Sequence, residues 1–109
     1  MADAEARSYL SDGRCVGWSP SNARLTRLVI DAELADQDPP ATLARRFGAL
    51  GFWERWTRAE VAAKIADVPM AIWLREYGLG SDLGDAMRTV RTTLGGATVV
   101  VSAANARAS

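Results

Sequence analysis

Residues 52–78 read FWERWTRAEVAAKIADVPMAIWLREYG, and they hold three of the four tryptophans of this 109-residue chain. Thr57 and Glu60 have the spacing of a capping box, in which each side chain bonds a backbone N–H group at the start of a helix. A helix is therefore predicted to begin directly after Thr57. Pro69 ends this helix or opens the next, because proline is well tolerated at the first helical position. Gly78 suits the end of the second helix, so the stretch predicts two helices joined by a tight turn.

The second of these helices carries few polar side chains. Its apolar stripe has the i, i+3, i+4, i+7 spacing of one helical face and consists of Met70, Trp73, Leu74 and Tyr77. A helix this apolar is normally buried against several neighbours. We therefore expect the rest of the chain to pack around residues 52–78.

The same two helices resemble the helix-turn-helix of bacterial regulators. The apolar residues at suitable offsets are Val61, Ala62, Ile65 and Ile72. The sequence departs from the motif at Asp67 and at Arg75, two positions that are usually apolar. The resemblance implies DNA binding through residues 57–78, with basic side chains in contact with the DNA. These side chains are Arg45, Arg46, Arg55, Arg58, Lys64 and Arg75.

Composition excludes several kinds of chemistry. No histidine is present, which removes histidine-based acid–base catalysis, triads that need histidine, and histidine metal ligands. Cys15 is the only cysteine, so no internal disulfide can form, and a cytoplasmic location is expected. No enzyme signature stands out, and we expect no catalysis, no cofactor and no metal.

Length and charge indicate one ordinary globular domain. The 13 basic and 13 acidic residues balance to a net charge of zero, which does not indicate a strongly basic nucleic-acid binder. Charge is uneven along the chain, with a net charge of −3 in residues 1–40 and +3 in residues 41–109. No apolar run is long enough to span a bilayer, so no membrane partner is expected.

Two segments admit both a helix and a strand. Residues 25–32 place apolar side chains at helical spacing, although Leu28, Val29 and Ile30 also suit a strand; helix is favoured. Residues 82–94 predict a helix capped by Ser81, with acidic residues near its start and arginines near its end, as the helix dipole prefers. The alternative for residues 88–94 is a hairpin strand, because the segment is rich in β-branched residues and a Gly-Gly pair follows it. Helix is preferred here too.

A strand is expected at Thr98, Val99, Val100 and Val101 under either interpretation. A lone strand leaves backbone groups unpaired. Its partner is expected to be residues 14–18, residues 88–94, or the same strand of another subunit.

These patterns together predict a mainly α fold, a small bundle of four to six short helices with a minor β element near the C-terminus. Further helices are expected over residues 2–10 and 40–50, the second closed by Gly51. The organisation is a single helical domain over residues 1–109, with a variable N-terminal segment, 1–22, and a tail, 103–109.

Two functional hypotheses follow from these elements. The first is a non-catalytic interaction or assembly subunit of a bacterial or phage complex that self-associates through apolar helix faces and the C-terminal strand. Its interface residues are Trp18, Thr98, Val99, Val100 and Val101. The alternative is the small helix-turn-helix-like DNA-binding regulator described above. The interaction subunit is favoured by the zero net charge, by a second helix with few side chains able to contact bases, and by a predicted strand with no assigned partner.

Overall fold

The computed structural model describes residues 6–18, 26–80 and 84–107, and over these ranges the chain mixes helices and strands. In chain order the elements are β1 (Ala6–Tyr9), β2 (Cys15–Trp18), β3 (Thr26–Leu34), α1 (Ala41–Phe47), α2 (Phe52–Ala66), α3 (Met70–Tyr77), a short 3-10 helix (Gly84–Ala86), β4 (Met87–Leu94) and β5 (Ala97–Arg107). The fold is therefore α/β, and the prediction of a mainly α bundle of four to six helices is wrong.

The sheet that organises the fold has three strands in the order β3-β5-β4. Its centre is β5, which pairs antiparallel with both neighbours. The edge strands β3 and β4 therefore run parallel to each other, and the helices form the long crossover that such a pair requires. A separate antiparallel hairpin consists of β1 and β2.

Side chains of the sheet alternate between two apolar clusters, as the period of two dictates. On one side Val29 and Ala104 pack with α2 and Trp73. On the other side Ile30 and Val101 pack under the hairpin, together with Leu10, Val16, Leu28, Ala32, Val99 and Ala103.

The helix favoured for residues 25–32 is wrong, since β3 occupies Thr26–Leu34. A strand buried on both faces reads as a continuous apolar run, and such a run does not distinguish a strand from a buried helix. Leu25 itself lies outside the described residues.

The capping-box prediction at Thr57 is also wrong, because α2 begins five residues earlier, at Phe52. Thr57 lies inside the helix and is fully buried, and its hydroxyl donates to the carbonyl of Glu54. Phe52 is itself buried and stacks on Trp56, with ring centroids 5.8 Å apart. Burial of Phe52 extends the helix to a start before the capping-box residues, because tertiary packing contributes most helical stability in proteins.

The turn between α2 and α3 was located correctly. Asp67 adopts the left-handed conformation, with φ of 58°. The N–H of Val68 reaches back to the carbonyl of Ala63, 2.9 Å away, as in a Schellman ending. Pro69 directly precedes α3, one residue before the predicted first helical position, and Gly78 follows the helix as predicted.

Burial of α3 differs from its prediction. Trp73 is its only buried residue, while Ile72 and Tyr77 are 40% and 55% exposed. The helix lies at the surface because α2, and not α3, covers the sheet. The preceding helix, α1, ends at Phe47 with Gly48 after it, three residues before the predicted Gly51.

The C-terminal third is the β-hairpin that was the less favoured alternative. Gly95 and Gly96 have φ of 56° and 82°, the two positive values that a two-residue type I′ turn requires. The helix predicted over residues 82–94 is therefore wrong, and its cap, Ser81, lies outside the described residues. Residues 103–107, expected in the tail, extend β5 to Arg107. At the other end of the chain, β1 replaces the predicted helix over the described part of residues 2–10.

Candidate functional site

The outer edge of β3 is closed by side chains. The N–H of Ala32 donates to Ser8 Oγ in β1, 3.1 Å away. The carbonyl of Ile30 accepts from Lys64 Nζ in α2, 2.9 Å away. These two groups point away from β5, so the contacts occupy the backbone positions that an added strand would need. No further strand can pair with β3 at this point without displacing them.

A buried carboxyl group lies beside this closed edge. Asp31 is 7% exposed, with Oδ1 3.4 Å from Lys64 Nζ and 3.5 Å from Ser8 Oγ. Its Oδ2 has no partner among the described residues. Burial raises the pKa of Asp31 to about 7; Lys64 opposes the shift, while Glu60 and Glu33 add to it. Oδ2 is itself buried, so the carboxyl group has the geometry of a buried structural group and not of an accessible acid or base.

A row of hydroxyl groups ties β4 to the rest of the fold. Ser102 in β5 lies 2.7 Å from the Thr57 hydroxyl and 2.8 Å from the Thr89 hydroxyl. Arg58 donates to Thr89 Oγ1 at 2.9 Å and to the carbonyl of Gly84, also at 2.9 Å. The row runs under α2 from the central strand to the edge strand, and it positions β4 against the helix.

An ion pair supports β4 further along the strand. Arg91 reaches Glu54 in α2, with Nη2 2.6 Å from Oε2. Both side chains are partly exposed to solvent, so the pair contributes little to stability. Its main effect is on charge, because the carboxylate of Glu54 compensates the guanidinium of Arg91.

The outer edge of β4 has no pairing partner among the described residues, and it is our candidate site. Ala35 N–H donates to the carbonyl of Thr98, which shows that residues 98, 100 and 102 direct their backbone groups toward β3. The alternate residues of β5 therefore direct theirs toward β4. By the same alternation the N–H and C=O groups of Thr89, Arg91 and Thr93 point outward, away from β5.

The face of β4 opposite the helices is also accessible. Val90 and Leu94 are 42% and 41% exposed, and Arg88 and Thr92 lie exposed on the same face. The hairpin covers β3 and β5 on this side and reaches β4 only at its C-terminal end, where Arg14 donates to the carbonyl of Gly95, 3.2 Å away, and Cys15 lies beside Leu94. On the helix side, α2 packs mainly over β3 and β5. Among the described residues, neither layer therefore obstructs the approach of another strand to β4 on the N-terminal side of this contact.

The predicted interface residues of the C-terminal strand do not lie at an edge of the sheet. Thr98, Val99, Val100 and Val101 lie in the central strand, paired with β3 on one side and β4 on the other. The three valines are buried. The strand partner is thus residues 88–94, one of the three alternatives considered, together with β3. Trp18 ends β2, where its backbone pairs with Ala6, and its side chain lies outside the described residues.

The six basic side chains proposed for DNA contacts divide into two groups. Three of them hold the fold together: Arg55 donates to the carbonyls of Phe47, Gly48 and Leu50, Arg58 to Thr89 and Gly84, and Lys64 to Ile30. The others, Arg45, Arg46 and Arg75, are exposed on α1 and α3. Arg75 lies 3.6 Å from Glu76, a neighbour of opposite charge.

No protein family model, no curated protein and no solved structure matches this chain. Among the described residues no helix has the length and apolar character needed to cross a membrane. Within the same residues no three acidic or cysteine side chains converge closely enough to hold a metal ion.

The sequence offered the edge strand only as the less favoured alternative, although Thr89, Thr92 and Thr93 are β-branched and Gly95 follows closely. The buried carboxyl group of Asp31 was missed, because a single acid within an apolar run gives no indication of how deeply it will be buried.

Proposed function

We propose that this chain is a non-catalytic interaction or assembly subunit that pairs with a strand of another protein chain along the outer edge of β4. The observation that carries the proposal is the row of backbone groups at Thr89, Arg91 and Thr93, which pair with no other strand in the described part of the chain. Strand addition takes its affinity from such groups and its specificity from the side chains beside them. This role was expected of the C-terminal strand, and the adjacent strand β4 is better suited to it because, over residues 6–18, 26–80 and 84–107, no strand pairs with its outer edge.

The contrast between the two edges of the sheet supports this proposal. Proteins commonly protect edge strands with prolines, bulges or covering segments. Covering side chains protect β3, whereas β4 contains no proline and pairs with β5 without a bulge over Met87–Leu94. The alternative, DNA binding through residues 57–78, has weaker support. Of the basic side chains on which it depends, Arg55, Arg58 and Lys64 are already bonded within the chain.

Substitutions at Thr93 test the proposal, because its N–H points outward while its exposed side chain makes no hydrogen bond to the other described residues. Thr93→Pro removes that N–H and places a ring at the edge, and an edge strand tolerates proline at such a position. Thr93→Ala is the matched control, since it shortens the side chain but keeps the N–H. Mass would be measured by light scattering over a range of protein concentrations.

We expect the natural chain and Thr93→Ala to associate, and Thr93→Pro to be monomeric with an unchanged circular dichroism spectrum. A monomeric natural chain, or equal association of all three proteins, would contradict the proposal. The same measurement with duplex DNA at low and high salt tests the alternative, because phosphate contacts weaken steeply as salt rises.

A further inference from the structure

We infer that the strand which pairs with β4 is β4 of a second copy of this chain, antiparallel around a twofold axis at Val90. The inference rests on the proposed function and adds the identity of the partner and the register of pairing. The result is a closed dimer with one continuous sheet, in the strand order β3-β5-β4-β4-β5-β3. Three observations support it. The edges of the other described strands are paired, blocked or short, only the outward-pointing residues of β4 can form the new hydrogen bonds, and the positions of Arg88 and Arg91 favour one register.

The other described strands of a second copy offer no comparable edge. Both edges of β5 are paired. The edge of β3 is occupied by Ser8 and Lys64, and β1 and β2 are four residues long each and pair with each other. Pairing of β4 with β3 of the next copy, which would generate an open chain of subunits, is thus blocked. Pairing of β4 with itself uses one surface twice and closes after two copies.

The alternation of outward-pointing and inward-pointing residues along β4 restricts the register of pairing. Outward-pointing residues of one strand must face outward-pointing residues of the other, because only these form the new hydrogen bonds. Two symmetric antiparallel registers then overlap over most of Met87–Leu94, one centred on Val90 and the other on Arg91. Shifts in either direction shorten the ladder.

Charge selects between these two registers. The Arg91-centred register places Arg91 opposite its own copy, and like charges directly opposite each other destabilise a strand pair. The Val90-centred register places Arg91 opposite Thr89 and Arg88 opposite Thr92. The two Arg91 residues are then offset by two residues, roughly 7 Å along the strand, instead of lying directly opposite each other. The two Arg88 side chains, which have no ion-pair partner in the described part of the chain, are then separated by about four residues, roughly 14 Å along the strand.

The same register brings the exposed Val90 side chains of the two copies together on the face that the hairpin leaves open. Cross-strand contacts between β-branched residues stabilise sheets. The pair at Val90 is of the non-hydrogen-bonded type, with Cα atoms about 4.5 Å apart. This separation lies within the range that a disulfide bond spans.

Disulfide trapping tests the register. In a Cys15→Ser background, which removes the only natural thiol, Val90→Cys should form a covalent dimer under mild oxidation on a non-reducing gel. Thr92→Cys is the matched control on the same exposed face. Its two copies lie roughly 14 Å apart in this register, beyond the reach of a disulfide, so it should remain largely uncrosslinked.

A second pair of variants gives the same test without altering Val90. Arg88→Cys and Thr92→Cys, each in the Cys15→Ser background, should crosslink when mixed but not separately, because positions 88 and 92 face each other across the axis. Crosslinking of Thr92→Cys alone at the level of Val90→Cys would overturn the inference. So would the failure of both tests while Thr93→Pro still abolishes association, a result that leaves the edge as the interface but excludes this register. If Thr93→Pro has no effect on association, the proposed function itself fails.

Discussion

The hydroxyl oxygens of Thr57 and Ser102 lie 2.7 Å apart, one inside α2 and the other in the central strand β5. Both side chains are fully buried. Ser102 is also bonded to Thr89 in the edge strand, so a single serine links the helix to two strands. Buried hydroxyl groups are costly when they lose their partners, and the row therefore favours one position of α2 on the sheet.

A double-mutant cycle at this pair should show strong coupling. We expect Thr57→Val and Ser102→Ala each to lower the free energy of unfolding by about 1–3 kcal/mol, because each leaves the other hydroxyl with fewer partners. The double variant should lose less free energy of unfolding than the two single variants lose together, because neither hydroxyl of the pair is then left without its partner. Urea unfolding measures the cycle. The pair Thr57→Val and Thr92→Val serves as the control and should be additive within roughly 0.5 kcal/mol; additivity at Thr57 and Ser102 would show that the contact has no energetic role.

The buried carboxyl group of Asp31 should make stability depend on pH. Its pKa in the folded chain is about 7, above the ordinary value of 3.8, so the folded state holds this proton at pH values where the unfolded chain has released it. The resulting stabilisation is fully present below about pH 4 and is lost as the pH rises through about 7. Burial also raises the pKa of Glu33 and of Glu60, which adds to the effect with the same sign.

We therefore expect Asp31→Asn to be more stable than the natural chain at about pH 8, by roughly 1–3 kcal/mol, with a smaller difference at about pH 5. Urea unfolding at the two pH values measures this. The control is Asp36→Asn, which neutralises an exposed acid a few residues away and should leave the pH profile unchanged. If Asp31→Asn shows the same pH dependence of stability as the natural chain, groups other than Asp31 cause that dependence.

Trp73 anchors α3 to the rest of the fold. It is the one buried residue of the helix, and its ring lies 4.5 Å from that of Tyr77 between centroids. We expect Trp73→Ala to lower the free energy of unfolding by roughly 3–5 kcal/mol, as other truncations of large core side chains do. Ile72→Ala, next to it on the exposed side, should cost roughly 1 kcal/mol or less. Similar losses for both variants, measured by urea unfolding, would contradict this assignment of the core face.

Asp67 carries the left-handed conformation that ends α2, with φ of 58°. Residues with a Cβ atom pay a steric cost in this conformation that glycine avoids. Asp67→Gly should therefore raise the melting temperature, by an amount equivalent to about 0.5–1 kcal/mol. Asp67→Ala should lower it, because alanine has the same steric cost and lacks the short polar side chain that tolerates the conformation. A decrease with glycine would show that the Asp67 side chain is needed at the turn.

Local signals in the sequence located the features that depend on a few neighbouring residues. Pro69 and Gly78 bracket α3 because proline and glycine restrict or permit backbone angles wherever they occur. Gly95 and Gly96 were recognised as a turn signal for the same reason. The strand at residues 98–101 was expected because consecutive β-branched residues favour extended backbone.

Tertiary structure decided the features that depend on distant partners. Thr57 has the local pattern of a cap, but contacts with Ser102, 45 residues away, and burial of Phe52 place it inside a helix. Residues 26–34 and 87–94 became strands because each pairs with β5, and the energy of a strand ladder is absent from any short window of sequence. The same pairing gave β5 the central position and left β4 at the edge. By itself, the sequence determined where the chain turns and which segments are apolar; the long-range pairing of strands decided which edge remains open to a partner.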